Sequence, residues 1–180
     1  MYDRKNNLWH NVNKEVSFLE KIDVLIIGGG PAGLFAATRF INSGLTVYLL
    51  EATENIGQKL LISGAGQCNY TNIIDIKDFY SKYGEQGKFL KPAFYNLDNK
   101  KTIEYFKNKG LDTFINDEGK VFPSTLRAKD ILDVLLSDIK KANVKIKLNN
   151  RVKEVKKQGE FFIVQGDEFT YKANKILLTT

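Results

Sequence analysis

The chain has 180 residues, of which 43% are hydrophobic and 27% are charged, a composition typical of a globular domain with its own core. A single cysteine, Cys68, excludes an intramolecular disulfide and a dithiol shuttle within the chain, and it predicts a reducing, cytoplasmic location. A single histidine, His10, argues against Cys-His and Ser-His-Asp catalysis and against a zinc site. We therefore expect no metal, and we expect difficult chemistry to come from a bound cofactor.

The net charge of +6 is unevenly distributed along the chain. Residues 77–180 hold 21 basic and 14 acidic side chains, whereas residues 1–76 hold 6 and 7. The basic side chains are mostly lysines interleaved with acids, while a nucleic-acid surface more often shows arginines on one concentrated face. This pattern favours a solvated lysine-rich surface over a nucleic-acid partner, and attraction to acidic ligands stays open.

Residues 1–22 are predicted to form an N-terminal extension ahead of a domain that spans residues 23–180. The extension mixes charged and apolar positions without the pattern of a secretory signal. The uncharged stretch from Val24 to Thr38 contains four glycines and a proline and is shorter than the ~20 residues of a membrane-spanning helix. We therefore expect no membrane partner.

A first strand, Val24 to Ile27, is predicted to run directly into the pattern Gly-x-Gly-x-x-Gly formed by Gly28, Gly30 and Gly33. The first glycine permits a tight turn, the second lets the backbone approach phosphates, and the third lets helix pack on strand. A helix is predicted from Ala32 to Ile41, with Pro31 in its first turn and Gly44 as its cap. Glycine triplets also occur in ordinary turns, but the strand before and the helix after this one favour a dinucleotide pyrophosphate at the helix N-terminus.

A second strand, Thr46 to Leu50, is predicted to end in Glu51, which lies 18 residues after Gly33. An acid at this spacing is placed to accept hydrogen bonds from the hydroxyls of a ribose. Because a carboxylate repels a 2′-phosphate, Glu51 favours FAD or NAD over NADP. The alternative is a solvated charge at a strand end.

The next notable segment, Gly57 to Asn72, is rich in glycine and in hydrogen-bonding side chains such as Ser63, Asn69 and Thr71. Such a loop is costly to order unless a ligand fills it. Its amides and hydroxyls suit phosphate oxygens or the edge of a heteroaromatic ring. The alternative is a plain surface loop.

The remaining segments predict an α/β fold with a parallel sheet, helices and an antiparallel β-meander that covers the sheet. The last strand is expected to return beside the first. In chain order the predicted elements are a helix at Asn99–Lys109, a hairpin at Phe114–Val121, a helix carrying Ile131 to Ile139 inward, a strand at Val144–Leu148, meander strands at Val152–Lys156, Phe161–Gln165 and Phe169–Lys172, and a closing strand at Ile176–Thr179.

The segments Gly28–Ala37 and Gly57–Asn72 together resemble an FAD-binding flavoprotein family of aminoacetone oxidase-like and bile-acid dehydro-intermediate reductase-like proteins. The resemblance covers nearly everything after residue 22. It implies a Rossmann-like FAD-binding fold of the two-dinucleotide-binding flavoprotein type, truncated at the C-terminal side of a longer protein. The chain departs from the family at Ala65 and Gln67, where glycine and arginine are frequent, and this puts contacts through residue 67 in doubt.

The resemblance also implies which residues contact the cofactor. They are Gly28, Gly30, Pro31, Ala32 and Gly33 at the pyrophosphate, Glu51 at the ribose, Lys59, Ser63, Gly64, Gly66, Asn69 and Thr71 on the flavin side, the backbone of Val152 at the adenine, and Thr180 just before a turn that contacts FAD. For Val152 the alternative is a plain core valine. No catalytic acid or base is identified, since Lys59, Tyr70, Tyr95 and Ser124 each fit a structural role as well.

The leading hypothesis is therefore an FAD-dependent oxidoreductase that moves hydride through flavin N5, with a small-molecule substrate and NAD(P)H as an electron donor. The activity of the 180-residue chain alone is left open. One alternative is a nucleotide-binding or interaction module without turnover. Another is a flavin-linked RNA-binding protein.

Overall fold

The structure, a computed structural model, describes residues 21–180. The predicted N-terminal extension lies almost entirely outside the described residues. The described chain forms two compact units. The first combines the residues up to Ile56 with Ala142–Thr180, and the second is Gly57–Lys141.

The first unit contains a six-stranded sheet whose order is β6-β2-β1-β9-β8-β7. Strand β1 runs parallel to both β2 and β9, and β2 runs parallel to β6. Helix α1 connects β1 to β2. Every residue of β2 is buried, as expected of a parallel strand covered on both faces. The elements of this unit are β1 Ile22–Ile27, α1 Pro31–Thr38, β2 Val47–Leu50, β6 Lys145–Lys147, β7 Glu154–Gln158, β8 Phe161–Gln165 and β9 Thr170–Leu178.

The third meander strand and the closing strand, predicted as separate elements, form the single strand β9. Ala173, at its centre, is fully buried and pairs with a residue on each side, Ile22 in β1 and Phe162 in β8. The predicted break lies at residues 173–175, which include two polar side chains. One of these, Asn174, donates from Nδ2 to Asp23 Oδ1 at 3.1 Å, so the strand continues without leaving its amide unpaired.

The β7–β8 hairpin continues the same sheet beyond β9. Val164 of β8 is fully buried in one cluster with Tyr48 and Leu50 of β2. The two strands between them, β1 and β9, contribute side chains to the same cluster, which therefore extends across four strands. The antiparallel meander is confirmed, but its strands extend the sheet, and covering of the sheet by the meander stays a prediction.

Two helices end earlier than their apolar patterns predicted. Helix α1 ends at Thr38 rather than Ile41, because the Thr38 hydroxyl donates back to Phe35 O at 2.7 Å and the next N–H groups bond three residues back. Helix α5 (Asn99–Lys107) ends two residues before the predicted Lys109, and Gly110 follows with φ 80°.

The second unit combines five helices with a three-stranded antiparallel sheet of order β3-β5-β4. The predicted hairpin is confirmed as β4 and β5, with Gly119 (φ 73°) in its turn. The predicted inward face of the last helix is also confirmed, since Ile131, Leu135 and Ile139 are buried. The elements are α2 Gln58–Ile62, β3 Thr71–Asn72, α3 Ile76–Lys82, α4 Lys91–Asn96, α5 Asn99–Lys107, β4 Thr113–Ile115, β5 Lys120–Pro123 and α6 Ala128–Lys141, with 3-10 segments at Ser63–Gly66 and Gly84–Leu90.

A buried carboxylate ties α6 to the end of α5. The side chain of Asp138 is only 2% exposed; its Oδ2 lies 2.8 Å from Lys109 Nζ and accepts from the Tyr105 hydroxyl at 2.9 Å. Burial by itself would raise the pKa of Asp138, but bonds from Lys109, Tyr105 and then Lys141 bring it below its ordinary value. The ionised carboxylate is therefore stabilised in the folded state.

We expect Asp138→Asn to lower the free energy of unfolding by about 2 kcal/mol at pH 7, because the neutral amide weakens these bonds to a buried group. The folded pKa lies below the unfolded one, so this contribution is present above the unfolded pKa and is lost as pH falls through the folded pKa. The difference between wild type and variant should therefore shrink below about pH 4 in urea titrations. The control is Asp133→Asn, at an exposed partner of Lys129, which should cost less than about 0.5 kcal/mol.

Candidate cofactor-binding site

The turn after β1 packs closely against the end of β9. Gly28 has φ 112°, and a Cβ on it would stand 2.8 Å from Thr179 O. A Cβ on Gly33 would stand 1.9 Å from Gly28 O. The Thr179 hydroxyl lies 3.0 Å from Ile27 O and 2.9 Å from Gly28 O, so its one proton is shared between two carbonyls of this turn. Glycine is therefore required at both positions by contact with the surrounding backbone.

Gly30, unlike Gly28 and Gly33, has open space where a side chain would stand. In the described part of the chain, no heavy atom lies within 4 Å of where a Cβ on Gly30 would stand. Gly30 is the N-cap of α1, with exposed Pro31 and Ala32 in the first turn. Among residues 21–180, no side chain caps this terminus and the first turn carries no acid. Open space at the positive end of a helix fits an anionic group such as a pyrophosphate.

Glu51 follows β2 and is held by groups of the same unit. Its Oε2 accepts from Gly29 N at 2.9 Å, which links it to the glycine turn. Its Oε1 accepts from Thr53 N at 2.9 Å and from the Thr53 hydroxyl at 2.8 Å. The acid predicted to meet a ribose is therefore adjacent to the turn predicted to meet the pyrophosphate.

These hydrogen bonds keep Glu51 ionised. Burial by itself would raise the pKa of the Glu51 carboxyl, but the bonds from the Thr53 hydroxyl and N–H oppose this effect. The N–H groups of Gly29 and Ala52 add to them, and the pKa lies below its ordinary value. An ionised carboxylate is a strong acceptor for hydroxyl groups and repels a phosphate.

Two other predicted contacts lie in the same unit. The Thr180 N atom would be 3.0 Å from a Cβ on Gly28, so the chain backbone after β9 adjoins the first glycine. Val152 is half-buried and packs against the core cluster of the sheet. It comes two residues after Asn150, whose N–H donates to Glu51 O at 2.8 Å. Its packing agrees with the core-valine alternative and leaves the predicted backbone contact with adenine as a prediction.

The predicted flavin-side residues lie in the second unit. Several of them form hydrogen bonds with the backbone of the same unit. The Ser63 hydroxyl donates to Leu60 O at 2.8 Å. The Asn69 amide, oriented by the acceptors around it, places its nitrogen 2.7 Å from Thr71 O. Thr71 pairs with Val121 in the β3–β5 ladder. Much of the hydrogen-bonding capacity of this loop is thus used to hold the loop itself.

The glycines of this loop and Lys59 differ in their surroundings. A Cβ on Gly64 (φ 56°) would stand 3.0 Å from Asn69 N, whereas the nearest atom to a Cβ on Gly66 is 3.9 Å away. Lys59 is exposed on α2. Ala65, where the family pattern favours glycine, has φ 55°, a left-handed conformation that costs an alanine about 1 kcal/mol. The loop therefore keeps the glycine-type backbone without the glycine.

Three residues of the site were missed by the sequence reasoning. A Cβ on Gly29 would stand 2.8 Å from Glu51 Oε2, so the absence of a side chain here leaves room for the Glu51 carboxylate. Thr53 and Thr179 supply the hydroxyls already described. Thr179 bonds to the end of β1, which is distant in sequence, and no local pattern marks the contact of Thr53 with Glu51. The run of three consecutive glycines was the one visible signal.

A separate cleft of about 520 Å³ lies in the first unit at the β8–β9 turn. Its walls carry cations and anions together, so its charge favours neither kind of ligand. None of the predicted cofactor contacts lines it. The lining residues are Lys147, Asn149, Asn150, Arg151, Asp167, Glu168, Phe169 and Tyr171.

Residues 21–180 also bear on metal binding and membrane insertion. Within that range, no three or more His, Cys, Asp or Glu side chains group in a way that could hold a metal ion. No helix there combines the length and apolarity needed to cross a membrane.

The parallel order β6-β2-β1-β9, the glycine turn at the carboxyl end of β1 and the acid at the end of β2 define a Rossmann-type dinucleotide-binding domain. The HI0933-like protein Rossmann domain matches residues 22–180. The chain belongs to this family, which confirms the predicted fold class and the predicted resemblance to a flavoprotein family.

Two curated relatives align with most of the chain. It is 32% identical over 155 residues to 3-dehydro-bile acid delta(4,6)-reductase of Clostridium scindens, covering 85% of this chain and 37% of the relative. It is 28% identical over 162 residues to ribosomal RNA dihydrouridine synthase of Escherichia coli, covering 90% and 40%. The chain thus spans about two fifths of the length of these relatives.

Among solved structures, 3-ketosteroid-delta4-(5alpha)-dehydrogenase of Rhodococcus jostii is similar with a TM-score of 0.64. The match covers 91% of this chain and 47% of the dehydrogenase at 11% identity. At this identity the likeness concerns the fold alone.

We expect Gly33→Ala to lower the free energy of unfolding by about 3 kcal/mol or more, because its Cβ would meet a backbone carbonyl that cannot move without shifting the turn. Gly30→Ala should change it by less than about 0.5 kcal/mol, since the position is open and its φ of −75° suits alanine. Urea denaturation of the two variants measures the difference. Equal losses would contradict the asymmetry between the two glycines.

Proposed function

We propose that this chain binds the ADP half of FAD and that it is the cofactor-binding part of a flavin-dependent oxidoreductase. The observation that carries the proposal is the open space at Gly30, at the N-terminus of α1, between two glycines that are closely packed. Two glycines needed by the fold and one left open are what a backbone cradle for a pyrophosphate requires. The N–H groups of the first turn of α1 would bind its oxygens.

Glu51 supports an unphosphorylated ribose next to this cradle. Its Oε2 already accepts from Gly29 N, so a nucleotide seated on the turn would bring its ribose towards the same carboxylate. The lowered pKa of Glu51 keeps it charged, which disfavours the 2′-phosphate of NADP. Bound FAD would supply hydride transfer at its flavin ring.

Other parts of the proposal rest on the resemblance and the relatives. The domain would begin near residue 23, and the flavin-side residues would be Lys59, Ser63, Gly64, Gly66, Asn69 and Thr71. A small-molecule substrate agrees with the name of the Clostridium scindens relative, and NAD(P)H is proposed as the electron donor. No residue of this chain is assigned a catalytic proton transfer.

Titration of the purified chain with FAD, ADP and NADP tests this function. FAD and ADP should bind, and NADP should bind at least about tenfold more weakly because of Glu51. Gly30→Ala should weaken FAD binding by about tenfold or more while leaving the denaturation midpoint unchanged, since its Cβ would occupy space proposed for phosphate. A wild-type chain that binds neither FAD nor ADP, or a Gly30→Ala chain that binds both normally, would refute the proposal.

A second candidate function is an RNA substrate for the same flavin chemistry. It is favoured by the name of the Escherichia coli relative and by an exposed aromatic and basic segment in the second unit. Phe89 is 82% exposed, with Lys88 and Lys91 beside it in sequence. Single-stranded RNA is commonly held by aromatic stacking and lysine contacts to phosphates.

If RNA is the substrate, a single-stranded RNA should bind with an affinity that falls steeply as KCl rises. Phe89→Leu, which keeps apolar area but loses the ring, should weaken binding by about fivefold or more, and Phe89→Tyr should not. Gel-shift titrations measure both effects. Absence of binding, or loss of affinity with both variants alike, would leave the small-molecule substrate as the candidate.

A further inference from the structure

Thr53 makes two hydrogen bonds that hold the Glu51 carboxylate in one orientation, and a third that holds Thr53 itself. Its N–H and its hydroxyl both reach Glu51 Oε1, at 2.9 Å and 2.8 Å. Its carbonyl accepts from Asn149 N at 2.9 Å, in the same loop whose Asn150 N donates to Glu51 O. Thr53, which holds the carboxylate, is therefore itself bonded to the segment that follows β6.

The Thr53 hydroxyl has one proton and two acceptors within reach. Asn55 O lies 3.0 Å away, against 2.8 Å for the Glu51 oxygen. A charged acceptor forms the shorter and stronger bond, so the carboxylate takes this proton preferentially. Asn55 O then competes only weakly.

The donors around Glu51 limit what else it can accept. A carboxylate offers about four lone-pair positions, two on each oxygen. Thr53 occupies both positions on Oε1, Gly29 N occupies one on Oε2, and the Ala52 N–H adds a further donor that has no short contact with either oxygen. At most one position therefore stays open, and it is on Oε2.

We propose that Thr53 is a positioning residue that makes Glu51 recognise the adenosine ribose through a single hydroxyl, accepted at Oε2. The inference rests on the proposed function, since it presupposes a nucleotide ribose at Glu51. Without the Thr53 hydroxyl, Oε1 regains an open position while the N–H groups of Thr53 and Gly29 still hold the carboxylate, so a second ribose hydroxyl can bind at Oε1. Thr53 thereby determines which ribose hydroxyl binds to Glu51.

The test is calorimetric titration of the chain with ADP, 2′-deoxy-ADP and 3′-deoxy-ADP. In wild type, loss of one ribose hydroxyl should weaken binding by about tenfold or more, because a hydrogen bond to the charged Glu51 is strong. Loss of the other hydroxyl should weaken binding by less than about twofold, because only one ribose hydroxyl bonds to Glu51. With Thr53→Val the two deoxy nucleotides should bind within about twofold of each other. Thr53→Ser, which restores the hydroxyl, should keep the wild-type pattern.

The matched control is Thr170→Val, at the start of β9 and outside the hydrogen bonds of Glu51, which should also keep the wild-type pattern. A Thr53→Val chain that loses affinity for all three nucleotides by the same factor would show a merely structural role and overturn the inference. If that variant fails to fold, the wild-type series still decides, because equal losses from both deoxy nucleotides would overturn it. A wild type that binds no ADP would instead refute the proposed function, and this inference with it.

Discussion

The close approach of the β1–α1 turn to the end of β9 is the constraint on which the rest of the first unit depends. Strand β1 is paired in parallel on both sides, so its carboxyl end lies between those of β2 and β9. The carbonyls of Gly28 and Thr179 leave no room for a Cβ on Gly28 or Gly33. This contact sets where α1 begins, and α1 in turn sets where the open backbone at Gly30 stands. Ligands of such sheets bind at this edge, where the strand order reverses.

The Glu51 carboxylate extends that constraint to the neighbouring strand. A partly buried charge needs compensating donors, and here they come from the glycine turn at Gly29 and from Thr53. The same bonds that stabilise the ionised form also limit its free acceptor positions. The proposed selectivity for an unphosphorylated ribose and local stability would thus share one hydrogen-bond network.

The second unit shows a different use of similar residues. Its glycine-rich loop bonds largely to itself, through Ser63, Asn69 and the ladder at Thr71. Ala65 adopts a backbone conformation that favours glycine, and Cys68 does the same with φ 59°. Strained backbone held by its own hydrogen bonds is common near ligand sites, where the surrounding structure fixes it. The composition of this loop alone did not distinguish groups that bond within it from groups left for a ligand.

The sequence by itself determined the fold class, the parallel strands, the glycine turn and the acid at Glu51, because these depend on local apolar runs and short spacings. The sequence-based prediction misplaced the ends of α1 and α5. It also divided β9 at Ala173, whose partners in the sheet, Ile22 and Phe162, are both more than 10 residues away along the chain. Only the tertiary structure identified Thr53, Thr179 and Gly29 as parts of the site. Thr179 and Gly29 contact chain segments that the pairing of β1 with β9 and β2 brings together, whereas Thr53 contacts Glu51 locally, through the path that the backbone takes after β2. No sequence pattern encodes either kind of contact.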